Sequence, residues 1–259
     1  MYKIGIRHSV VILATLFCLL QTKASAQNLI RVQVGSADPV EYADFDEGWS
    51  YAMSQQSATI TLLDDLTRTQ TLVYLPTVAN GRHTLDLNNH TITDNTTDNL
   101  LYVNKEDAKL TITDSSPEHE GCLYKKKESS VGIHTVLIYQ GEIEIAGGKL
   151  YCENTIDDSD VEHWHPAVAL YCNYGHGAIS RISGGILEAV ATMSAIAVSG
   201  YSTVYITGGQ IRATVTKYRN AQALVQQRGT AYISGGKLEA FAVGQGIAAY
   251  TVSAIVRLR

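Results

Sequence analysis

Four segments of this chain line up without gaps: Ile145–Cys152 (IAGGKLYC), Ile182–Ala189 (ISGGILEA), Ile206–Ala213 (ITGGQIRA) and Ile233–Ala240 (ISGGKLEA). The shared pattern is Ile, a small residue, Gly-Gly, any residue, Ile or Leu, any residue, then Ala or Cys. Such self-similarity constrains a fold more tightly than composition, because each copy must be one structural unit stacked on the next. The first glycines of the four pairs are Gly147, Gly184, Gly208 and Gly235. The last two intervals set a unit of roughly 24 residues, within the range of solenoid repeats. The interval from Gly147 to Gly184 is longer by about half, so that unit carries an insertion.

Inside a unit the apolar period is two. GEIEI (Gly141–Ile145) and STVYI (Ser202–Ile206) alternate in the way of strands with one buried face. A further apolar strand comes earlier in each unit: TVLIY around Val136, AVALY around Val168, AIAV around Ile196 and ALV around Leu224. Each unit thus reads strand, turn, strand, Gly-Gly bend, strand. Glycine at the bend can take a positive φ, and the Ala or Cys slot asks for a small side chain where the corner narrows the interior. Three short strands per unit, stacked on the next three, predict an all-β parallel β-helix whose inner face is buried only collectively. At ~4.8 Å between paired strands, roughly nine coils would make a rod on the order of 40 Å long.

The rest of the chain fits around this solenoid. SATITLLDDL, HTLDLNNHTIT, NLLYV and AKLTITDSS are alternating strands with Asn, Asp and Ser turns. Ahead of them, EYADFDEGWSYAMSQQ places Tyr42, Phe45, Trp49 and Ala52 on one helical face, a short amphipathic helix able to cover the first coil. Residues 1–26 have a positive start at Lys3 and Arg7, an apolar run from Ser9 to Leu20, and Ala24-Ser25-Ala26 before a cut, the three parts of a secretory signal peptide. The expected organisation is signal peptide 1–26, N-terminal strand and capping helix 27–56, and parallel β-helix 57–259. Without Lys3, Arg7 and Lys23, 17 basic residues face 25 acidic ones, a formal charge of −8. That argues against a nucleic-acid partner, and the mature chain has no apolar run long enough to span a membrane. Cys122, Cys152 and Cys172 remain after cleavage, an odd number that leaves at least one thiol unpaired or shared with another chain.

The order of cap helix, TITLLDDL, TLDLNNHTIT, LTITDSS and Ile-x-Gly-Gly-x-Ile repeats resembles secreted bacterial right-handed β-helix surface proteins of the pectin-lyase-like kind. The resemblance spans essentially the whole mature chain. It implies right-handed coiling, which spacing alone does not fix, and a secreted or cell-surface location, the periplasm included. Its motifs are structural, so they specify a fold and leave the activity open among adhesins, polysaccharide enzymes and other roles.

Two stretches carry candidate sites. Gly175-His176-Gly177 followed by Arg181-Ile182, with Asp157-Asp158 upstream, is similar to the active-site motifs of polygalacturonases. In that family the carboxylates, histidine and Arg-Ile pair stand about a coil apart, whereas Gly177 and Arg181 here fall close together in a single coil. Gly141, Gly177, Gly200 and Gly229 also precede each middle strand, so Gly177 reads as a recurring turn and Arg181 as an outward strand residue, with no catalytic set in register. The insertion ENTIDDSDVEHWHP (Glu153–Pro166) is the second stretch, because insertions in solenoids project as loops on one face. Asp157, Asp158, Asp160, His163, Trp164 and His165, with Tyr171, Tyr174 and His176, are the candidate ligand-binding residues. His163 and His165 could share zinc with a carboxylate or His176, and Asp157, Asp158, Asp160 and Glu162 could gather calcium; neither motif is complete, so no cofactor is assigned. A solvated acidic loop is the plain alternative. Tyrosines 171, 174, 201, 205, 218 and 232 recur at strand ends or outward positions, where rings either stack on sugars or simply half-bury. Cys152 fills the Ala slot as a small apolar side chain, with a bond to Cys172 as the alternative. Lys125-Lys126-Lys127 reads as a solvated loop. The expected function is a non-enzymatic binding or adhesion module for an extracellular polysaccharide or a host or cell-surface protein. A polysaccharide lyase or hydrolase and a structural spacer are the alternatives.

Overall fold

Short alternating segments, many of them ended by Gly, Asn or Asp, give a succession of strands, with one helix among the described residues. The computed structural model of the protein describes residues 27–157, 166–173, 177–217, 220–243, 245–251 and 255–258. An N-terminal piece comprises β1 (Ile30–Gln33), β2 (Val40–Tyr42) and α1 (Phe45–Met53). The first coils follow as β3 (Ser57–Leu62), β4 (Leu66–Arg68), β5 (Leu72–Tyr74), β6 (Arg82–Asp86), β7 (Thr91–Asp94), β8 (Asn99–Thr113) and β9 (Cys122–Lys127). The middle of the chain forms β10 (Ile133–Ile145), β11 (Lys149–Asn154), β12 (Ala167–Cys172), β13 (Ile179–Ile182), β14 (Ile186–Ala191) and β15 (Ala195–Gly200). The last coils are β16 (Thr203–Ile206), β17 (Gln210–Val215), β18 (Asn220–Gln226), β19 (Thr230–Ile233), β20 (Lys237–Ala242), β21 (Gln245–Thr251) and β22 (Ile255–Leu258).

These strands pair in parallel as three stacks around one lumen, a parallel β-solenoid of about 7 turns. Stack I runs β5, β8, β10, β12, β15, β18, β21, and stack II runs β3, β6, β8, β10, β13, β16, β19, β22. The long strands β8 and β10 belong to both, their first halves to stack I and their second halves to stack II. Stack III runs β4, β7, β9, β11, β14, β17, β20. There are fewer turns than the roughly nine expected because the coils from Ile112 to Ile145 and from Ile145 to Ile182 are longer than the other units. Leu85, Ile112 and Ile145 are successive partners in stack II, yet each interval between them exceeds that from Ile182 to Ile206.

The core is a set of columns, one residue per coil. In stack II, Ile60, Leu85, Ile112, Ile145, Ile182 and Ile206 lie in continuous register, none more than 1% exposed, and Ile233 continues the column. Ile92, Leu123, Leu150, Leu187 and Ile211 form the stack III column. Leu72, Leu101, Val136, Leu170, Val198 and Leu224 form that of stack I. At the N-terminal end β1 pairs antiparallel with β3, so a strand of opposite sense closes the first coil's edge. Helix α1, capped by the Asp44 carboxylate on the Asp46 and Glu47 N–H groups, buries Phe45, Trp49 and Ala52 against this end. Trp49 Nε1 donates to the Val73 carbonyl at 3.0 Å. Tyr42, expected on the helical face, ends β2 instead and packs half-buried against the core.

The two glycines of a corner answer different demands. Gly209 has φ +80°, a region costly for any residue with a Cβ, whereas a Cβ on Gly208 would lie 2.2 Å from the Ser183 carbonyl oxygen of the preceding coil. The same pairing recurs at 184/185 and 235/236. Earlier corners lack Gly-Gly and use carboxylates. Asp114 Oδ1 accepts from the Asn89 and Ser116 N–H groups at 3.0 and 3.1 Å, and Oδ2 from Gly121 N–H at 2.6 Å. Asp86 accepts likewise from the Ser115 N–H and hydroxyl.

Lys125-Lys126-Lys127 is not a solvated loop. It is the end of β9, and alternation turns Lys125 into the lumen and Lys126 outward to Glu153, while Lys127, half-buried at the strand's end, reaches Asp98. Lys125 is in register with Cys152, in the column that Ala189, Ala213 and Ala240 continue. The slot is therefore not intrinsically narrow. Wholly buried, the ammonium stands 3.5 Å from the equally buried Asp94 carboxylate and donates to the Thr97 carbonyl. Thr96 and Thr97 supply Asp94 with backbone and hydroxyl donors, so the charge is compensated.

Two outcomes follow from these corners. Gly208→Ala should cost at least about 2 kcal/mol through its backbone collision. Gly35→Ala, also at positive φ but with open space around the site, should cost only about 1 kcal/mol. Equal midpoints for the two variants in urea unfolding would remove the stacking argument. The second concerns pH. Burial alone would raise the Asp114 pKa, but its donors Ser116, Gly121 and Asn89 outweigh that and hold it below the ordinary value. A carboxyl depressed in the fold stabilises above its unfolded pKa of ~3.9, and that contribution disappears as pH falls through the lower folded value. Stability should therefore begin to drop as pH falls past about 4 and keep dropping below it, and Asp114→Ala, less stable at pH 7, should show a shallower drop when urea midpoints are compared.

Candidate functional site

In stacks II and III many outward residues are polar or charged and pair along the stack, although Ile179, Ile186, Val190 and Phe241 share those faces. Arg181 in β13, expected to point outward, does so: its Nε donates to Glu142 at 2.8 Å and its guanidinium lies 4.4 Å from the Tyr205 ring centroid. Tyr205 stacks in turn on Tyr232 at 5.0 Å. Arg212 bridges to Glu239, and Lys149 to Glu188. Stack I departs from this scheme. AVALYC, AIAVSG and the ALV of β18 are apolar at nearly every position, and their outward side chains are buried as well as their inward ones. Val168, Ile196 and Val225 form a second apolar cluster apart from the lumen, with Tyr171 packed against it.

A cavity of about 290 Å³ opens over this outer face. Its aromatic side is made by His134, Tyr171 and Tyr201: the His134 and Tyr171 rings are 4.8 Å apart, and Tyr171 meets Tyr201 edge-on at 5.8 Å and 61°. Leu137 and Pro166 supply aliphatic surface over the buried Val168 and Ile196, and Ser199, Asn173 and Gln227 supply uncharged polar groups. Register explains the grouping. Tyr171 pairs with Leu137 and Ser199, and His134 with Val168, on strands β10, β12 and β15. Asn173, Tyr201 and Gln227 each follow a stack I strand, their N–H groups bonded to Ile138, Cys172 and Gly200 of the coil before. One phase position, repeated over three coils, thus builds one wall.

The site's electrostatics are those of neutral groups. Burial draws the His134 pKa down to about 4, only partly offset by Asp98, so the ring is neutral at pH 7. Its Nδ1 lies 2.7 Å from Asn99 Oδ1; a carbonyl oxygen can only accept, so Nδ1 carries the proton and Nε2 is an acceptor. Burial, with Tyr201 beside it, pushes the Tyr171 phenol up to about 12. Two other hollows differ in kind. One of about 300 Å³ borders Arg82, Glu106, Asp107, Glu142 and Gly177, where Arg82 donates to the Asp107 carbonyl and Glu142 already holds Lys109 and Arg181. The other, about 540 Å³, lies beside α1, where Arg68 is taken by Asp46 and the Phe45 ring.

Of the residues singled out in the sequence, Tyr171 lies in the cavity. Asp157 follows β11, exposed, with its carboxylate 2.7 and 2.8 Å from Lys217 Nζ. Asp158, Asp160, Glu162, His163, Trp164, His165, Tyr174 and His176 lie outside the described residues. Among the described residues no three His, Cys, Asp or Glu side chains gather as a metal site. Gly177 has φ +66° at the turn before β13, the recurring turn position expected of it. His134, Asn173 and Gln227 escaped the sequence reading, and Tyr201 figured only as one recurring tyrosine. Aligning the apolar strands coil by coil, as the Gly-Gly segments were aligned, would have brought them forward.

Compared with known protein families, curated proteins and solved structures, the chain matches none. What defines its class is the fold itself, a parallel β-solenoid bearing an aromatic cavity on one outer face.

The cysteines of this region do not pair. Cys122, Cys152 and Cys172 are free and buried; Cys152 fills its lumen slot and Cys172 lies 2.6 Å from the Ser180 hydroxyl. Burial pushes all three thiols up to about 12. Iodoacetamide at pH 8 should leave them unmodified in the native protein and label all three in denaturant, as read by intact mass. A mass two hydrogens short in the unreduced sample would instead reveal a bond.

Proposed function

We propose that this protein is an exported, non-enzymatic binding module that holds a glycan in the cavity of His134, Tyr171 and Tyr201. Kinship with secreted bacterial right-handed β-helix surface proteins belongs to the same proposal and rests on the cap, strand and Gly-Gly motifs. The observation that carries the reading is the convergence of three rings and three uncharged hydrogen-bonding side chains on one hollow of about 290 Å³. Aromatic faces gain by covering the C–H faces of a pyranose, while Ser199, Asn173 and Gln227 suit its hydroxyls. The His134 Nε2 lone pair adds an acceptor. The volume is at the small end for ligand pockets, which favours one or two sugar units, such as a chain terminus.

Purified protein should bind members of a broad glycan array with micromolar to millimolar affinity by calorimetry. Tyr171→Ala should weaken that binding at least tenfold, with the unfolding midpoint lowered by the loss of its packing on the apolar cluster, and Gln227→Ala, where the side chain is partly exposed, should weaken binding with little change in midpoint. Absence of binding across the array, or undiminished binding by these variants, would refute the site. New reducing ends or unsaturated products from bound polysaccharide would refute the non-enzymatic part.

A further inference from the structure

The aromatic wall does not end at the cavity. Tyr102, Leu137, Tyr171 and Ser199 are successive partners in one outward column of stack I, on β8, β10, β12 and β15. The column of Val103, Ile138, Cys172 and Gly200 runs beside it, also in register. Tyr139 follows Ile138 and Tyr201 follows Gly200, so Tyr139 stands to Tyr102 as Tyr201 stands to Tyr171: one coil on and two positions further along the rung. The same diagonal pair of tyrosines is thus built twice. Ring geometry agrees, with centroids 6.3 Å apart at 55° in the first pair and 5.8 Å apart at 61° in the second. All four tyrosines are half-buried, so each keeps surface open to solvent. The two pairs lie two coils apart, ~10 Å along the axis at the spacing of paired strands. Leu137, itself partly exposed, spans the gap and lines the cavity.

Successive sugars of a β-1,4-linked chain are turned over relative to one another, so like faces recur at every second unit. In an extended chain that recurrence is close to the two-coil interval. One chain can therefore set C–H faces on both pairs, and contact with the second follows from contact with the first at high effective concentration. Resting on the glycan reading above, we propose that Tyr102 and Tyr139 form a second subsite, and that the ligand is an extended β-1,4-linked glycan lying along the solenoid axis with one end in the cavity of Tyr171 and Tyr201. An α-1,4-linked chain curls away from a straight row of platforms and gains nothing from the second pair.

Disaccharides and tetrasaccharides of the cello, manno and chito series, with maltose and maltotetraose as curved controls, test this by calorimetric titration into the full chain. In at least one β-1,4 series the tetrasaccharide should bind at least tenfold more tightly than the disaccharide, and in the malto series less than threefold. Tyr102→Ala, and separately Tyr139→Ala, should bring the β-1,4 ratio below threefold; a ratio taken within one variant does not depend on how much of it is folded. Equal affinity of short and long chains in all three β-1,4 series overturns the second subsite and leaves glycan binding standing. So does a gain that survives both substitutions, an equal gain in the malto series, or array binding confined to other linkages. Silence across the whole array takes the functional reading with it.

Discussion

The contact on which this fold depends is that of one corner with the corner below it. A Cβ at Gly184, Gly208 or Gly235 would lie 2.2–2.3 Å from the carbonyl oxygen of the residue beneath in the previous coil. Parallel strands in adjacent coils must stand ~4.8 Å apart to pair, and a corner can keep that spacing only if nothing projects from it toward its neighbour. The glycine pair secures this and turns the chain at the same time. Once the corners stack, Ile145, Ile182, Ile206 and Ile233 have no choice but to fall in one column.

The N-terminal coils reach the same spacing by other chemistry. Asp86 and Asp114 bind N–H groups across neighbouring corners, taking up donors that sharp turns leave without partners. The buried Lys125–Asp94 pair belongs to this polar half and lies next to Cys152, where the Gly-Gly half begins. Lys125 adds length where alanine fills the later coils, and its ammonium reaches the Thr97 carbonyl in the turn leading to β8. One solenoid therefore joins a half held by carboxylates and hydroxyls to a half held by close backbone packing.

Much of this was legible from residues alone. The Gly-Gly register announced the stacked coils, alternation announced which side chains fill the lumen, and the spacing of Phe45, Trp49 and Ala52 announced the cap. What failed did so for a physical reason in each case. Three consecutive lysines look like surface, yet alternation sends the first into the lumen because a carboxylate and a carbonyl await it, and those belong to the coil before. The site was half legible. Tyr171 stood out as an aromatic at a strand end, but His134 sits in the coil before it and Tyr201 in the coil after. Only coil-to-coil register makes them neighbours.

The position of the cavity follows from where alternation breaks down. Outward charges on stacks II and III pair with one another along the rungs, as Lys149, Glu188 and Arg212 do. In stack I the outward Val168, Ile196 and Val225 gather as an apolar cluster instead. A solenoid needs only its inner columns to be apolar, so apolar residues on an outer face are not demanded by coil stacking. Val168, Ile196 and Val225 are no more than 2% exposed, so they make a second small core outside the lumen, against which Tyr171 packs. The same strands thus hold the coils together on one side and shape the aromatic hollow on the other.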